Sequence, residues 1–585
     1  MNGSQLLIQS LQAHGVNVIF GYPGGAIMPV YDALYGGKIK HVLCRHEQAA
    51  ALAADGFARV SGKAGVCLAT SGPGATNLIT GLANALLDSI PMIAITGQVA
   101  SNLIGTDAFQ EIDTLGLSLS VVKHSFLIES AEEIPSILEQ AFAIATSGRP
   151  GPVLIDIPKD VQLAEVNHQT MSDVDQNSPI NSSEPTVSEN TLMPIEQSLQ
   201  PSDINRASHA HAVAEQLLHL MQTAYRPLLY LGGGVQGEAV EQRLKKWVSD
   251  INIPFVTTLK AIGFAQEHPM NLGMLGMHGL VAANQAIQEC DLLIALGVRF
   301  DDRATGNLSK FAPHAKVAHF DIDDCEIDKL RQTQLSSVID LKQLLDVLLV
   351  KKAELSVDPW REKCSKKKRA HQWRYDHPGT GIYAPRLLSC LTRLTKRNAI
   401  ISCDVGQHQM WVAQHCQFNS PRKHLSSGGL GTMGFGLPAA IGAQMARPDD
   451  VVINVCGDGS FAMNIQELMT LKRYQLPIKI LLIDNQSLGM VRQWQHLFFA
   501  DRYSEIDLSD NPDFVNVSKA FGLNAKRITK AVEEQDGLAW LLEQTEPSLL
   551  QVCIDNKENV WPLVPPGAGN HEMINGEQGY EKTDH

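Results

Sequence analysis

Long apolar runs are absent from this 585-residue chain. The most apolar region, Gly65 to Gly97, is broken by Gly72, Pro73, Gly74, Asp88 and Pro91. A bilayer span needs about 20 uninterrupted apolar residues, so this region is expected to be strand–helix–strand in a water-soluble protein. The ten cysteines are scattered singly, with no C-x-x-C pair and no Cys/His cluster. That argues against a zinc ribbon and against a disulfide framework, and it fits a reducing cytoplasm. Positive charge is in deficit: 48 Lys and Arg face 62 Asp and Glu, a net charge of −14. Such a balance disfavours nucleic acid and anionic membranes as partners. Met1 to Gln5 carry neither a basic nor an apolar leader pattern, so a cytoplasmic location is expected.

What the chain has is length and alternation. It is too long for one core, and its 44% hydrophobic content is that of ordinary globular domains. Short apolar runs alternate with helix-like segments. Val16–Phe20, Val66–Thr70, Met92–Thr96 and Val153–Ile157 read as buried strands of a first α/β unit, residues 1–166. Residues 167–204 are rich in Ser, Asn, Gln, Thr and Pro and read as a polar linker. A second unit, 205–350, has strands at Leu228–Leu231, Pro254–Thr257, Leu292–Leu296 and Val317–Phe320. Residues 351–381 form a second linker, in which the basic run Arg361–Arg369 reads as a solvated helix face. A third unit occupies 382–555, and 556–585 is expected to be a mobile covering tail. The fold class expected is α/β: three doubly wound parallel-sheet domains.

The strongest chemical signal is Gly457-Asp458-Gly459-Ser460, followed by Asp484-Asn485. Apolar runs, Val451–Val455 and Ile478–Ile483, precede each piece, which places both at the ends of neighbouring parallel strands. Asp and Asn oxygens there are hard ligands suited to Mg2+ with open positions for phosphate. The glycines let backbone N–H groups approach a diphosphate. Glu47 opens an Ala-rich segment, Arg45 to Gly56, and an acid in a first helical turn is ordinary by itself. Gly232-Gly233-Gly234 after a strand is a weak dinucleotide signal without a full G-x-G-x-x-G.

Taken together the motifs are more specific. The Arg45–Gly56 string, Gly21-Tyr22-Pro23-Gly24-Gly25 and Ser71–Asn77 resemble the first domain of thiamine-diphosphate enzymes. Gly105–Glu111, Asp156–Gln162, Gly273–Gly279, Arg299–Arg303, Asp404–Trp411, Gly429–Gly434 and Gly489–Trp494 extend the match over nearly the whole chain. It resembles the large, catalytic subunits of the acetohydroxyacid (acetolactate) synthase family. The resemblance implies a pyrimidine-binding, a central FAD-binding and a diphosphate-binding domain. It implies condensation of two pyruvates to 2-acetolactate, or of pyruvate with 2-ketobutyrate to 2-aceto-2-hydroxybutyrate, early in branched-chain amino acid biosynthesis. The alternative is another thiamine-diphosphate 2-keto acid enzyme, a pyruvate oxidase or decarboxylase, which Gln110 and Trp494 disfavour.

The resemblance also assigns residues. Glu47 is implied as the proton relay at the pyrimidine, and Met433 as the apolar support of the bent cofactor. Gly406, Gln407, His408, Gly457, Gly459, Ser460 and Met490 would surround thiamine diphosphate, with Asp458, Asn485 and the Ser487 carbonyl on Mg2+. The family has Asn where this chain has Asp484, which adds a negative charge near the metal. Gln110 would touch the reacting intermediate, Phe109 and Lys159 would sit at the mouth, and Trp494 would shape the acceptor pocket. For FAD, which has no net redox step to perform, the implied set is Arg149, Gly232, Gly233, Gly234, Thr257, Leu259, Gly276, Met277, His278, Gly297, Arg299, Asp301, Arg303, Asp321, Ile322 and Asp340. A homodimer or dimer of dimers and a small regulatory subunit are the implied partners.

Overall fold

Strands buried on both faces need no alternation, and the central strands here are almost wholly apolar. The computed structural model describes residues 1–166, 201–351, 354–376 and 380–576. The first sheet contains β1 (Val18–Gly21), β2 (Lys40–Leu43), β3 (Gly65–Ala69), β4 (Met92–Gln98), β5 (His124–Leu127) and β6 (Pro152–Pro158). The second contains β7 (Pro227–Leu231), β8 (Phe255–Thr257), β9 (Asn271–Met274), β10 (Leu292–Leu296), β11 (Lys316–Asp321) and β12 (Leu335–Val338). The third contains β13 (Ile400–Cys403), β14 (His424–Ser426), β15 (Val452–Gly457), β16 (Lys479–Asp484), β17 (Asn524–Ile528) and β18 (Ser548–Cys553). Every residue of β3, β4, β6, β10, β15 and β16 is buried.

The orders are β2-β1-β3-β4-β6-β5, β12-β11-β10-β7-β8-β9 and β14-β13-β15-β16-β18-β17, with the pairings parallel. Counted from its own first strand, the third sheet repeats the order of the first. The middle sheet instead runs 3-2-1-4-5-6, the order of doubly wound dinucleotide-binding sheets, with its reversal between β7 and β10.

The outer units share one core. Ala49–Ala54 and Phe57 pack with Phe435, Ala439, Ala440 and Ala443. These residues lie on helices Glu47–Ser61 and Gly436–Ala446, which cross at glycines. A Cβ on Gly56 would run into the Ala439 carbonyl, and one on Gly442 into the Ala53 carbonyl.

Three sequence expectations meet the structure differently. Most of the 167–204 linker lies outside the described residues, but a helix, Pro201–Thr223, already runs through the expected boundary at 205. The basic run lies on helix Asp358–Ala370, which docks on the middle unit. Trp360 and Cys364 are buried in that unit's core, and the Trp360 indole N–H donates to the Pro227 carbonyl at 3.0 Å. The charged residues around this apolar pair hid it from a composition reading. The described part of the tail, 556–576, is tied down: Val564 N–H donates to Met277 O, and Asn570 Nδ2 donates to Ala304 O. Residues 577–585 of that expected mobile tail lie outside the described residues. Among the described residues no helix is long and apolar enough to cross a membrane.

Candidate cofactor and active site

Asp458 opens a short helix where β15 ends, and Asn485 follows β16 directly. One Asp458 oxygen, Oδ2, accepts from Asn511 Nδ2 at 3.0 Å. Asn485 Nδ2 points to Gln407 Oε1 at 3.3 Å, and Ser487 N–H donates to Asn485 Oδ1 at 3.1 Å. Both candidate ligand side chains are therefore pinned by neighbours. Burial, then the neighbouring Asp484, pushes the Asp458 carboxyl up to about 7. A cation there would relieve both costs. Asp484 turns to other work, accepting from Gln551 Nε2 at 2.6 Å and Gln486 N–H at 3.0 Å.

His408 lies beside two glycines. A Cβ on Gly406 or Gly457 would sit 2.8 Å from its ring. Burial lowers its pKa to about 3, so the ring is neutral, and its Nε2 is buried with no partner. An unpartnered buried ring nitrogen beside a glycine turn fits a phosphate group. The Gln407 side chain is committed inward, donating to Gln493 Oε1 and the Glu558 carbonyl. Met433 is half-buried, and its Cε lies 3.7 Å from where a Gly459 Cβ would stand. Ser460 Oγ bonds back to the Gly457 backbone.

Glu47 stands at the other end of the molecule's chemistry. His46 caps its helix, with Nδ1 accepting from Gln48 N–H at 3.1 Å. Glu47 Oε2 accepts from Asn77 Nδ2 at 2.9 Å. Gln110, at φ 60°, packs its backbone against Gly72 of the same loop system. Phe109 is 88% exposed and Lys159 is exposed. No hydrogen bond joins Glu47, Asn77 or Gln110 to Met433, Asp458, Asn485 or Trp494 among the described residues.

A cavity of about 1000 Å³ opens at the middle sheet's reversal. Gly232, Gly233, Gly234 and Gly297 form its floor. Gly232 and Gly234 have no room for a Cβ because Gly297 crosses against them. Arg149, Leu259, Met277, His278, Arg299, Asp301, Arg303, Asp321, Ile322 and Asp340 complete the expected walls, and Met490 and Trp494 close one end. Thr257 and Gly276 are not among the walls; Gly276 N–H is held by Asn284 Oδ1 at 2.8 Å. His278 Nδ1 carries a proton and donates it to the Pro562 carbonyl at 3.0 Å, and burial lowers the ring's pKa to about 4. Burial raises the Asp301 carboxyl.

Sequence reasoning missed Asn77, Asn511 and Lys260. Lys260 lines the cavity and donates to the Asp88 carbonyl at 2.7 Å; burial lowers its pKa to about 8. The Asp88 carboxylate accepts from Gly428 and Gly429 N–H at 3.0 and 2.9 Å, and so holds the loop that leads to Met433. Nothing in the sequence marks Lys260 or Asp88, because their roles arise only when three domains meet.

Three family models match in chain order. They are the thiamine pyrophosphate enzyme N-terminal TPP binding domain over 1–117, the central domain over 214–348 and the C-terminal TPP binding domain over 404–552. The chain is 54% identical to the acetolactate synthase isozyme 2 large subunit of Escherichia coli (strain K12), over 98% of this chain and 99% of that protein. It is 45% identical to the acetolactate synthase large subunits of Parasynechococcus marenigrum, over 98% of this chain and 91% of that one, and of Pyropia yezoensis, over 98% and 95%. With three TPP-enzyme sheets in order and identity at this level along its whole length, the chain belongs to the thiamine pyrophosphate enzymes, in the family of the acetolactate synthase large subunits.

Proposed function

We propose that this chain is the catalytic subunit of an acetolactate synthase, joining a two-carbon unit from pyruvate to a second pyruvate or to 2-ketobutyrate. The observation that carries the reading is the 54% identity to an acetolactate synthase large subunit across 98% of the chain. Thiamine diphosphate, when bound, supplies the electron sink that loss of CO2 from a 2-keto acid requires. Glu47 would face the pyrimidine ring as its proton relay, and Asn77 fixes which way that carboxylate faces. Asp458, Asn485 and the Ser487 carbonyl would hold Mg2+, and His408 would lie beside the diphosphate at the Gly406 and Gly457 turns. Met433, beside Gly459, would give the cofactor apolar support. Lys159, exposed, attracts keto-acid carboxylates. Gln110 and Trp494 bound the space for the acceptor.

FAD fits the middle unit. The 3-2-1-4-5-6 order, the glycine crossing at the reversal and the cavity there support it. Because the reaction has no net redox step, its part is structural. The Glu47 and Asp458 clusters sit on different sheets, which suits a site shared between two copies related by a two-fold axis. The relatives' name "large subunit" speaks for a small regulatory partner. Ten unpaired cysteines suit the cytoplasm.

The test is product analysis with pyruvate under Mg2+ and thiamine diphosphate. Acetolactate is expected. Acetaldehyde, or acetyl phosphate with peroxide, would transfer the chain to the decarboxylases or oxidases.

A further inference from the structure

The strand β2 lies at the edge of the first sheet and ends two residues before the Arg45-His46 turn that starts the Glu47 helix. An edge strand leaves every second N–H and C=O without a ladder partner. On β2 the inward set is satisfied by β1: Lys40 N–H donates to Asn17 O and Cys44 N–H to Gly21 O. The outward set belongs to His41, Leu43 and Arg45. A helix of the third unit, Leu468–Tyr474, lies along this edge in place of a seventh strand. Glu467, just before it, and Thr470 and Tyr474 on it, share one face at helical spacing.

These three side chains meet the outward set in turn. Leu43 N–H donates to Tyr474 Oη at 2.8 Å, and that hydroxyl donates to the His41 carbonyl at 3.3 Å. Arg45 N–H donates to Glu467 Oε1 at 2.8 Å. Thr470 Oγ1 lies 2.6 Å from Glu467 Oε2 and 3.3 Å from the Leu43 carbonyl. A hydroxyl has one proton to give, so both contacts are hydrogen bonds only when Glu467 carries a proton to donate. Glu467 is fully buried, and burial pushes its carboxyl up to about 7.

We propose that Glu467 is a positioning residue for Glu47: by accepting the Arg45 N–H it fixes the turn from which the proton-relay helix departs. The proposal rests on the reading of Glu47 as the relay. Glu467 accepts at Oε1 and meets the Thr470 hydroxyl at Oε2, two positions that a glutamine fills with its carbonyl and amide. An aspartate, one methylene shorter, cannot span both partners, and an alanine leaves the part-buried Arg45 N–H without that acceptor.

The experiment compares the full-length wild-type protein with Glu467→Gln, Glu467→Asp and Glu467→Ala in two readouts. The first is amide hydrogen exchange of the peptide containing Arg45 and His46, measured by mass spectrometry without cofactor. The second is exchange of the cofactor C2 proton for deuterium, followed by acid quench and NMR with thiamine diphosphate and Mg2+ saturating. Glu467→Ala is expected to slow C2 exchange by tenfold to on the order of a hundredfold, the scale of an ångström-sized misplacement. Its Arg45 peptide exchanges faster than in the wild type, and its thiamine-diphosphate Kd stays within about threefold. Glu467→Gln stays within about threefold of wild type in C2 exchange, and Glu467→Asp falls between. Glu467→Ala exchanging C2 at the wild-type rate overturns the proposal, and so does Glu467→Gln as slow as the alanine variant. If the alanine variant does not fold, the Gln-against-Asp order decides. Glu47→Gln is the separate control: wild-type C2 exchange there removes the relay reading itself, whatever Glu467 does.

Discussion

Replacing Gly442 by alanine tests the crossing that joins the first and third units. Gly→Ala in a helix interior ordinarily gains up to about 1 kcal/mol. Here the new Cβ would be driven into the Ala53 carbonyl and lie 2.6 Å from Phe57 N. Both are helix backbone, which cannot rotate away as a side chain does. The helices must separate by about 1 Å to restore ordinary contact in a close-packed interface. Overpacking of this kind costs about 1–3 kcal/mol, occasionally more. With the clash against backbone the upper end applies, and after the helical gain a net loss of about 2 kcal/mol remains. The displacement also reaches the chemistry. Ala53 lies six residues into the helix that Glu47 opens, roughly 9 Å along its axis. Moving that helix as a rigid body moves Glu47 with it, and a misplacement of about 1 Å can cost on the order of a hundredfold in rate. The assay pairs the denaturation midpoint with kcat for acetolactate. Gly381→Ala is the control, since a Cβ there meets nothing within 4 Å. A Gly442→Ala protein as stable and as active as the wild type would refute the reasoning.

Further outcomes follow from single contacts. Trp494→Leu enlarges the end of the central cavity, and since one methylene is worth about 1–3 kcal/mol in a pocket, the 2-ketobutyrate to pyruvate product ratio in a competition assay is expected to fall by ten- to about a hundredfold; an unchanged ratio removes Trp494 from acceptor choice. Gly232→Ala places a Cβ 2.6 Å from Val298 Cγ1 at the sheet reversal; the purified variant is expected to lack a flavin absorption band yet keep thiamine-diphosphate binding, and a full flavin band would contradict the assigned floor. His415 is buried and burial lowers its pKa to about 3. Below the unfolded value of about 6.5 the unfolded chain therefore takes up a proton that the folded one refuses, so the wild type loses stability on acidification. His415→Gln is expected to gain on the wild type by about 1.4 kcal/mol per pH unit between about 6.5 and 3, read from denaturant midpoints at several pH values; parallel curves would mean that His415 is protonated in the fold.

Legibility in the sequence followed burial. Leu292–Leu296 was readable residue for residue because β10 is buried on both faces and therefore uniformly apolar. The edge strands His124–Leu127 and Asn524–Ile528 gave no such signal, since much of each faces solvent. The Gly457-Asp458-Gly459 turn was visible because glycine and aspartate each have a backbone reason to be there. Roles for Met433, Gln110 and Trp494 came from family resemblance, not from their spacing. Asn77, Asn511 and Lys260 were silent because asparagine and lysine acquire meaning only from what the fold sets against them. Trp360 was masked for the opposite reason: one buried indole among basic residues does not shift a composition average.

The repeated strand order explains why the two chemical ends lie where they do. In both outer sheets the candidate site residues follow strand C-termini: Glu47 after β2, Asp458 after β15 and Asn485 after β16. That is where open parallel sheets present free N–H groups and side chains to a ligand. Two sheets of one order, packed through a shared core, offer two such edges, one for each end of a two-ended cofactor. Nothing within a single chain hydrogen-bonds the Glu47 cluster directly to the Asp458 cluster among the described residues, so their relative placement is set by the shared core and by contacts beside each cluster. Glu467 lies nine residues after Asp458 and grips Arg45, two residues before Glu47. The segment proposed to hold the diphosphate end is thus the same one proposed to orient the relay, so under that reading a disturbance at either end is transmitted along a single short stretch of chain.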